Sequence, residues 1–236
     1  MVFLISRLKG SKVREALITA AECGDLPEVQ RILAKGAEIN AKGKHGATPL
    51  IIASQNGHLG VVREFLAQGA DVNAKANGGA TALLVASQNN HLEMVRELLA
   101  KAAEVNAKAN SGATALIIAS QNGHLGVVRE LLTKGAEVNA KRNEGITALF
   151  IASHNCHLEV VRELLAEGAE VDAKANSGAT ALMAASENGH LEVVRELLAN
   201  GAEINAKTNS GATALRAASK NKHHKVRALL IDSGSK

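Results

Sequence analysis

The sequence predicts an all-α protein built as an elongated stack of near-identical helix pairs. The main observation is a set of glycines that recur every 33 residues: Gly46, Gly79, Gly112, Gly145, Gly178 and Gly211. The unit between them barely changes, as "GATALIIASQNGHLGVVRELLTKGAEVNAKRNE" from Gly112 illustrates. Aromatic residues are nearly absent, so the core must come from Leu, Val, Ile and Ala, which suits short, closely packed helices. A period of this length is typical of stacked repeats.

The repeats divide the chain into seven units of one predicted domain, 1–236. Five full units occupy residues 46–78, 79–111, 112–144, 145–177 and 178–210. A degenerate unit at 12–45 and a truncated unit at 211–236 are the expected caps. In the last unit "NKHHKVRALL" stands against "NGHLEVVRELL", which predicts a missing residue and places His224 where a core leucine is expected. This end should be the weakest.

Each unit contains two short helices that end at glycines. In the unit that starts at Gly112, Thr114 is the predicted N-cap of the first helix, and Gly123 ends it. The second helix opens at His124 and ends at Gly135. Its apolar residues fall at helical spacing: Leu125, Val128, Leu131 and Leu132. The segment that follows has no helical period and predicts an extended loop and turn. Because no unit can bury its apolar face alone, neighbouring units must stack.

The repeated unit resembles the ankyrin repeat family. The resemblance is carried by the period and by "GATPLIIASQNGHLGVVREFLAQGADVN" from Gly46, with its echoes over roughly residues 12–230. It implies an ankyrin-repeat solenoid with two antiparallel helices and a β-turn loop, here called the finger, in each unit. It also implies a concave surface lined by the fingers and the first helices.

Two groups of positions depart from the family pattern. The finger aspartate of the family is replaced by Gly43, Ala76, Ala109, Arg142, Ala175 and Thr208. Each replacement predicts the loss of a side-chain hydrogen bond in its finger. The glycine that ends a helix is replaced by Asn90, Ala102, Cys156 and Lys222. A left-handed backbone there should cost roughly 1 kcal/mol for Ala, Cys or Lys.

The predicted binding surface follows from the two adjacent isoleucines of "NSGATALIIAS". Ile118 shares a helix face with Leu116 and is the predicted core residue, whereas Ile117 stands where the family has a polar histidine on the concave face. The equivalent positions form what we call the concave stripe: Ile51, Leu84, Ile117, Phe150, Met183 and Arg216. We expect the stripe to be exposed and to bind a partner. The alternative is that the fingers half cover these side chains.

Other residues flank the stripe and complete the predicted partner-binding set: Gln55, Gln88, Gln121, His154, Glu187 and Ile146. The unit from Gly145 differs from the other units at all three positions of this surface, where it has Ile146, Phe150 and His154. Phe150 is the only aromatic residue in a first helix, and aromatic anchors dominate many interfaces. We therefore expect Phe150 at the centre of the site; neutral drift is the alternative.

Charge and hydropathy weigh against nucleic acids and membranes as partners. The net charge is +4, but the basic residues concentrate at the two ends, around Arg7 to Arg14 and Lys220 to Arg227. No basic stripe runs along the units, and stacking aromatics are missing. No apolar run approaches the ~20 residues of a membrane span, and residues 2–5 are too short for a signal-peptide core. The expected protein is a cytoplasmic monomer.

Catalysis, metal binding and cofactors are not expected. One histidine per unit opens the second helix, at His58, His91, His124, His157 and His190, and these resemble a structural histidine of the family. The run His154-Asn155-Cys156-His157 offers too few convergent side chains for zinc. Cys23 and Cys156 lie too far apart in sequence repeats to form a disulfide.

The predicted function is a non-catalytic protein–protein interaction module that docks a partner protein through its concave face. Two alternatives remain open. One is a bacterial or parasite effector that presents the same surface to a host protein. The other is an engineered, consensus-like scaffold without a cognate partner.

Overall fold

The computed structural model describes residues 2–234, and the side chains of residues 10–234. These residues form helices and no strand, and contacts divide the chain into two compact units, Met1–Asn110 and Ser111–Lys236. The first unit contains α1 (Val2–Cys23), α2 (Leu26–Leu33), α3 (Pro49–Gln55), α4 (Leu59–Ala67), α5 (Ala82–Gln88) and α6 (Leu92–Ala100). The second contains α7 (Ala115–Gln121), α8 (Leu125–Thr133), α9 (Ala148–His154), α10 (Leu158–Ala166), α11 (Ala181–Glu187), α12 (Leu191–Ala199), α13 (Ala214–Lys220) and α14 (His224–Asp232). The side chains of Arg7 and Lys9 lie outside the described residues, and the single domain stays a prediction.

Local signals form the helix pairs as predicted. The Thr114 hydroxyl accepts a hydrogen bond from the backbone N–H of Ile117 at 3.3 Å and so caps α7. The buried Thr147 and Thr180 cap α9 and α11 in the same way. Gly123, with φ 72°, ends the first helix in the left-handed conformation that glycine adopts without strain.

Histidines connect successive repeats at the start of the second helices. The Nε2–H of His157 donates to the carbonyl oxygen of Gln121 at 3.0 Å, and His223 makes the same bond to Glu187 at 2.9 Å. The ring lies over a helix-ending glycine, since a Cβ added to Gly123 would come within 2.5 Å of the His157 ring. These contacts confirm the structural role predicted for this position.

The outer faces of the second helices carry ion pairs between repeats. Arg162 Nε lies 2.8 Å from a carboxylate oxygen of Glu196. Gln30 on α2 occupies the repeat position that Arg162 holds on α10. Its side-chain amide donates a hydrogen bond to a carboxylate oxygen of Glu64 at 2.8 Å. This bond and a second one from Gln68 lower the pKa of Glu64 from its ordinary value of 4.5. Exposed pairs of this kind contribute little individually, typically about 0.2–1 kcal/mol.

The fingers retain their turns without the family's aspartate. The backbone N–H of Ala175 donates to Ala179 O at 2.9 Å, and Asn176 N–H donates to Glu144 O of the preceding finger at 3.0 Å. The expected loss of a side-chain bond is wrong at Thr208, whose hydroxyl accepts from the Ala212 N–H at 3.0 Å. Backbone bonds therefore hold the turns in shape.

The replaced helix-ending glycines confirm the prediction of left-handed backbone. Asn90, Ala102, Cys156 and Lys222 have φ between 60° and 64°. At the sites equivalent to Ala102, such as Gly69 and Gly135, an added Cβ would meet nothing within 4 Å. The cost of alanine at 102 is therefore conformational strain and not a steric clash.

We expect Ala102→Gly to raise the free energy of unfolding by roughly 1 kcal/mol, because glycine removes the strain at φ 63° and its added unfolded-state entropy offsets only part of the gain. Chemical denaturation of the full chain measures the change. A variant less stable than the wild type would contradict the strain assigned to this helix end.

The last repeat keeps the register of the others, so the predicted missing residue is wrong. Helix α14 begins and ends 33 residues after α12, and Gly234, with φ 96°, stands in the place of Gly201. His224 stands at the position of Leu191 in the preceding repeat. Leu191 is only half-buried, so His224 does not replace a core leucine. The core position that becomes polar in the last repeat is that of Arg227. Arg227 is exposed, whereas the equivalent Val194 of the preceding repeat is fully buried. A charged outer face is typical of a terminal repeat.

We expect amide hydrogens of residues 212–232 to exchange well before those of 112–177. In the last repeat Leu215 is half-buried and Ser219 exposed, whereas the equivalent Leu182 and Ser186 are at most 1% exposed. Repeats at an end with little burial open first. Hydrogen exchange followed by mass spectrometry tests this, and uniform protection would contradict it.

Candidate functional site

Four residues of the concave stripe are buried, so their expected exposure is wrong. Ile51 and Leu84 in the first unit are 3% and 2% exposed, and Ile117 and Met183 in the second are 1% and 6% exposed. The reason is packing on several sides: α11, which carries Met183, contacts α9, α12 and α13. A seven-residue helix held this way buries most of its circumference and has no single apolar face.

The assignment of the two isoleucines is reversed. Ile117, predicted at the surface, is almost fully buried, whereas Ile118, predicted in the core, is half-buried. The pattern along a single helix predicts a core around Ile118, but neighbouring elements cover Ile117.

The remaining predicted site residues are accessible. Phe150 and Ile146 are half-buried, and Arg216 is exposed. The residues at the ends of the first helices are exposed in both units: Gln55, Gln88, Gln121, His154 and Glu187. In the second unit the structure therefore brings an aromatic ring and several polar side chains to one surface.

A cavity of about 630 Å³ lies on this surface of the second unit, and we call it the C-terminal groove. Its walls come from α9, α11 and α13 and from the fingers at 177–179 and 208–212. Phe150, Met183 and Arg216 of the stripe line it, together with His154 and Glu187. The volume lies in the usual range of ligand pockets, roughly 300–1,000 Å³.

Two alanines explain why the groove forms at this place. Ala184 and Ala217 line it, and they occupy the position that holds Ile118 and Ile151 in the preceding repeats. The shorter side chains leave space between helix and finger that a larger residue would fill. Ala184, Ala217 and Lys220 were not among the predicted site residues, although the change from Ile to Ala at one repeat position is visible in the sequence.

The charges of the groove are unevenly distributed. Arg216 and Lys220 are exposed one helical turn apart on α13, and Glu187 is the one acidic residue in the lining. Within the described part of the chain, no carboxylate forms an ion pair with either cation. The side-chain amide nitrogen of Asn188 lies 3.1 Å from Nδ1 of His154, within hydrogen-bond distance.

Comparison with known proteins identifies the repeat. A family model that describes ankyrin repeats in three copies matches residues 3–76, 73–142, 103–175, 132–208 and 169–236. The chain belongs to the ankyrin repeat family. The crystal structure of the human ASB11 ankyrin repeat domain is similar, with a TM-score of 0.84 at 26% identity, over 93% of this chain and 98% of that one. A comparison with curated protein sequences finds no significant match.

Ankyrin repeats are in general protein–protein interaction modules and are typically non-catalytic. Among the described residues of this ankyrin chain, no three His, Cys, Asp or Glu side chains converge as a metal site, and both Cys23 and Cys156 are free thiols. Among the described residues, none of the helices combines the length and the hydropathy that a membrane span requires.

Proposed function

We propose that this ankyrin repeat chain is a non-catalytic module that binds a partner protein through the C-terminal groove. The observation that carries the proposal is a cavity of about 630 Å³ with the half-buried ring of Phe150 in its wall. Burial of Ile51, Leu84 and Ile117 removes them as anchors, and Phe150 in the wall of the groove remains the accessible aromatic residue of the predicted surface.

The binding step needs no reaction and little rearrangement. Stacked helices and backbone-bonded fingers hold the groove open, so the partner meets a preformed surface and little ordering opposes binding. Phe150 offers apolar area with few rotatable bonds, which is the property of interface anchors. Polar groups at the rim, among them His154 and Glu187, then orient the partner.

We expect Phe150→Ala to weaken partner binding by roughly 2 kcal/mol or more, about thirtyfold in affinity. The full chain and the variant serve as baits in lysate of the source organism, and bound proteins are quantified by mass spectrometry. Arg195→Ala is the matched control: Arg195 is exposed on α12, and its ion pair with Glu192 is long at 3.5 Å. All three baits are used at a temperature at which chemical denaturation shows them to be fully folded.

The same experiment separates the alternatives. A partner protein lost with Phe150→Ala and kept with Arg195→Ala supports the groove as a docking site. Partners that bind both variants equally would place docking elsewhere and contradict the proposal. A scaffold without a cognate partner would retain no protein specifically, and an effector would retain a host protein only when host lysate is used.

A further inference from the structure

We propose that the C-terminal groove selects an acidic segment of its partner. An apolar side chain of that segment enters the cavity beside Phe150, and neighbouring Asp or Glu side chains pair with Arg216 and Lys220. The inference rests on the proposed function, because both place the partner in the same groove.

Charge complementarity carries the choice of an acidic segment. In the other repeats of the second unit, the positions of Arg216 and Lys220 hold no lysine or arginine; at Ile117 and Gln121, for instance, both are neutral. At these two first-helix positions of the second unit, lysine and arginine therefore occur only in α13, which forms one wall of the groove. Both cations are exposed, and they lie close enough on one helix face to receive one or two carboxylates.

The apolar lining of the cavity favours a partner segment with an apolar side chain next to those carboxylates. Ala184, Ala217, Met183 and the Phe150 ring offer mostly apolar surface around a space that isoleucine at positions 184 and 217 would narrow. A leucine, isoleucine or methionine side chain restores this packing. The partner segment thus combines an aliphatic residue with acidic neighbours.

A nucleic acid fits the groove less well than an acidic peptide. Two cations neutralise only about two phosphates, which supports weak binding at physiological salt. Phe150 is the one aromatic ring in this lining on which a base could stack.

Selection of short random peptides displayed on phage tests the inference with the full chain as bait. We expect enrichment of Asp and Glu beside Leu, Ile or Met. A synthetic peptide with the enriched sequence should bind at least about tenfold more weakly to the variant Arg216→Glu with Lys220→Glu, and its affinity should fall with added salt. The control Lys225→Glu with Arg227→Glu changes the net charge equally on exposed positions of α14 and should alter affinity by less than about twofold.

Ala217→Ile adds side-chain volume inside the cavity and distinguishes the possible failures. Neutral or basic peptides that are enriched, and are lost with Ala217→Ile and Phe150→Ala, would overturn the acidic selectivity and leave the groove as the docking site. Acidic peptides that bind both of these variants normally would overturn both proposals. No enrichment at all, or tighter binding of a single-stranded RNA of similar length, would overturn the inference that the groove selects an acidic segment. The lysate experiment would then test the proposed function independently.

Discussion

Gly145→Ala is expected to lower the free energy of unfolding by about 3 kcal/mol, more than any exposed substitution in the second unit. Gly145 has φ 76°, which strains any residue with a Cβ. The added Cβ would also lie 2.5 Å from the Asn176 side-chain oxygen and 2.9 Å from its backbone nitrogen. That nitrogen donates to Glu144 O, so the next finger cannot move away without the loss of a bond between repeats.

Gly168→Ala is the matched control for this clash. Gly168 has φ 84°, and an added Cβ would meet nothing within 4 Å. The substitution carries the conformational strain alone and should cost roughly 1 kcal/mol. Urea denaturation of both variants gives the difference, and equal losses would mean that the fingers adjust freely.

Ile117→Ala should destabilise the protein by about 3 kcal/mol, because it removes a side chain that is 1% exposed and leaves a cavity. Ile118→Ala removes the same atoms from a half-buried position and should cost clearly less. Chemical denaturation of the two single variants measures both. A larger loss for Ile118→Ala would restore the original assignment of the core.

The helix pairs were predictable because their signals are local. A threonine that caps the first helix, a glycine that ends it and a histidine that opens the next all act within a few residues. Thr114 and Gly123 do so as expected, and the replaced glycine at Ala102 keeps the left-handed backbone. The period then determines that such pairs stack.

The burial of the first helices was not predictable from one helix at a time. An amphipathic pattern assigns one buried face, but a first helix has neighbours on several sides, and Ile117 became core for that reason. The groove was missed for a related reason: it depends on space left by Ala184 and Ala217 between elements far apart in sequence. Similarity alone suggested a missing residue in the last repeat, whereas the bounds of α14 and the left-handed backbone of Gly234 show that it keeps the common register.

The open outer side of the last repeat has a thermodynamic consequence for the groove. Helix α13 supplies Arg216 and Lys220, and it belongs to the repeat whose Leu215 is only half-buried. Local opening of this repeat removes one wall of the groove, so ligand affinity and local folding are linked. The apparent dissociation constant equals the intrinsic value divided by the fraction of molecules with α13 in place. Warming should therefore weaken binding before the rest of the second unit unfolds, and a bound segment should in turn protect α13.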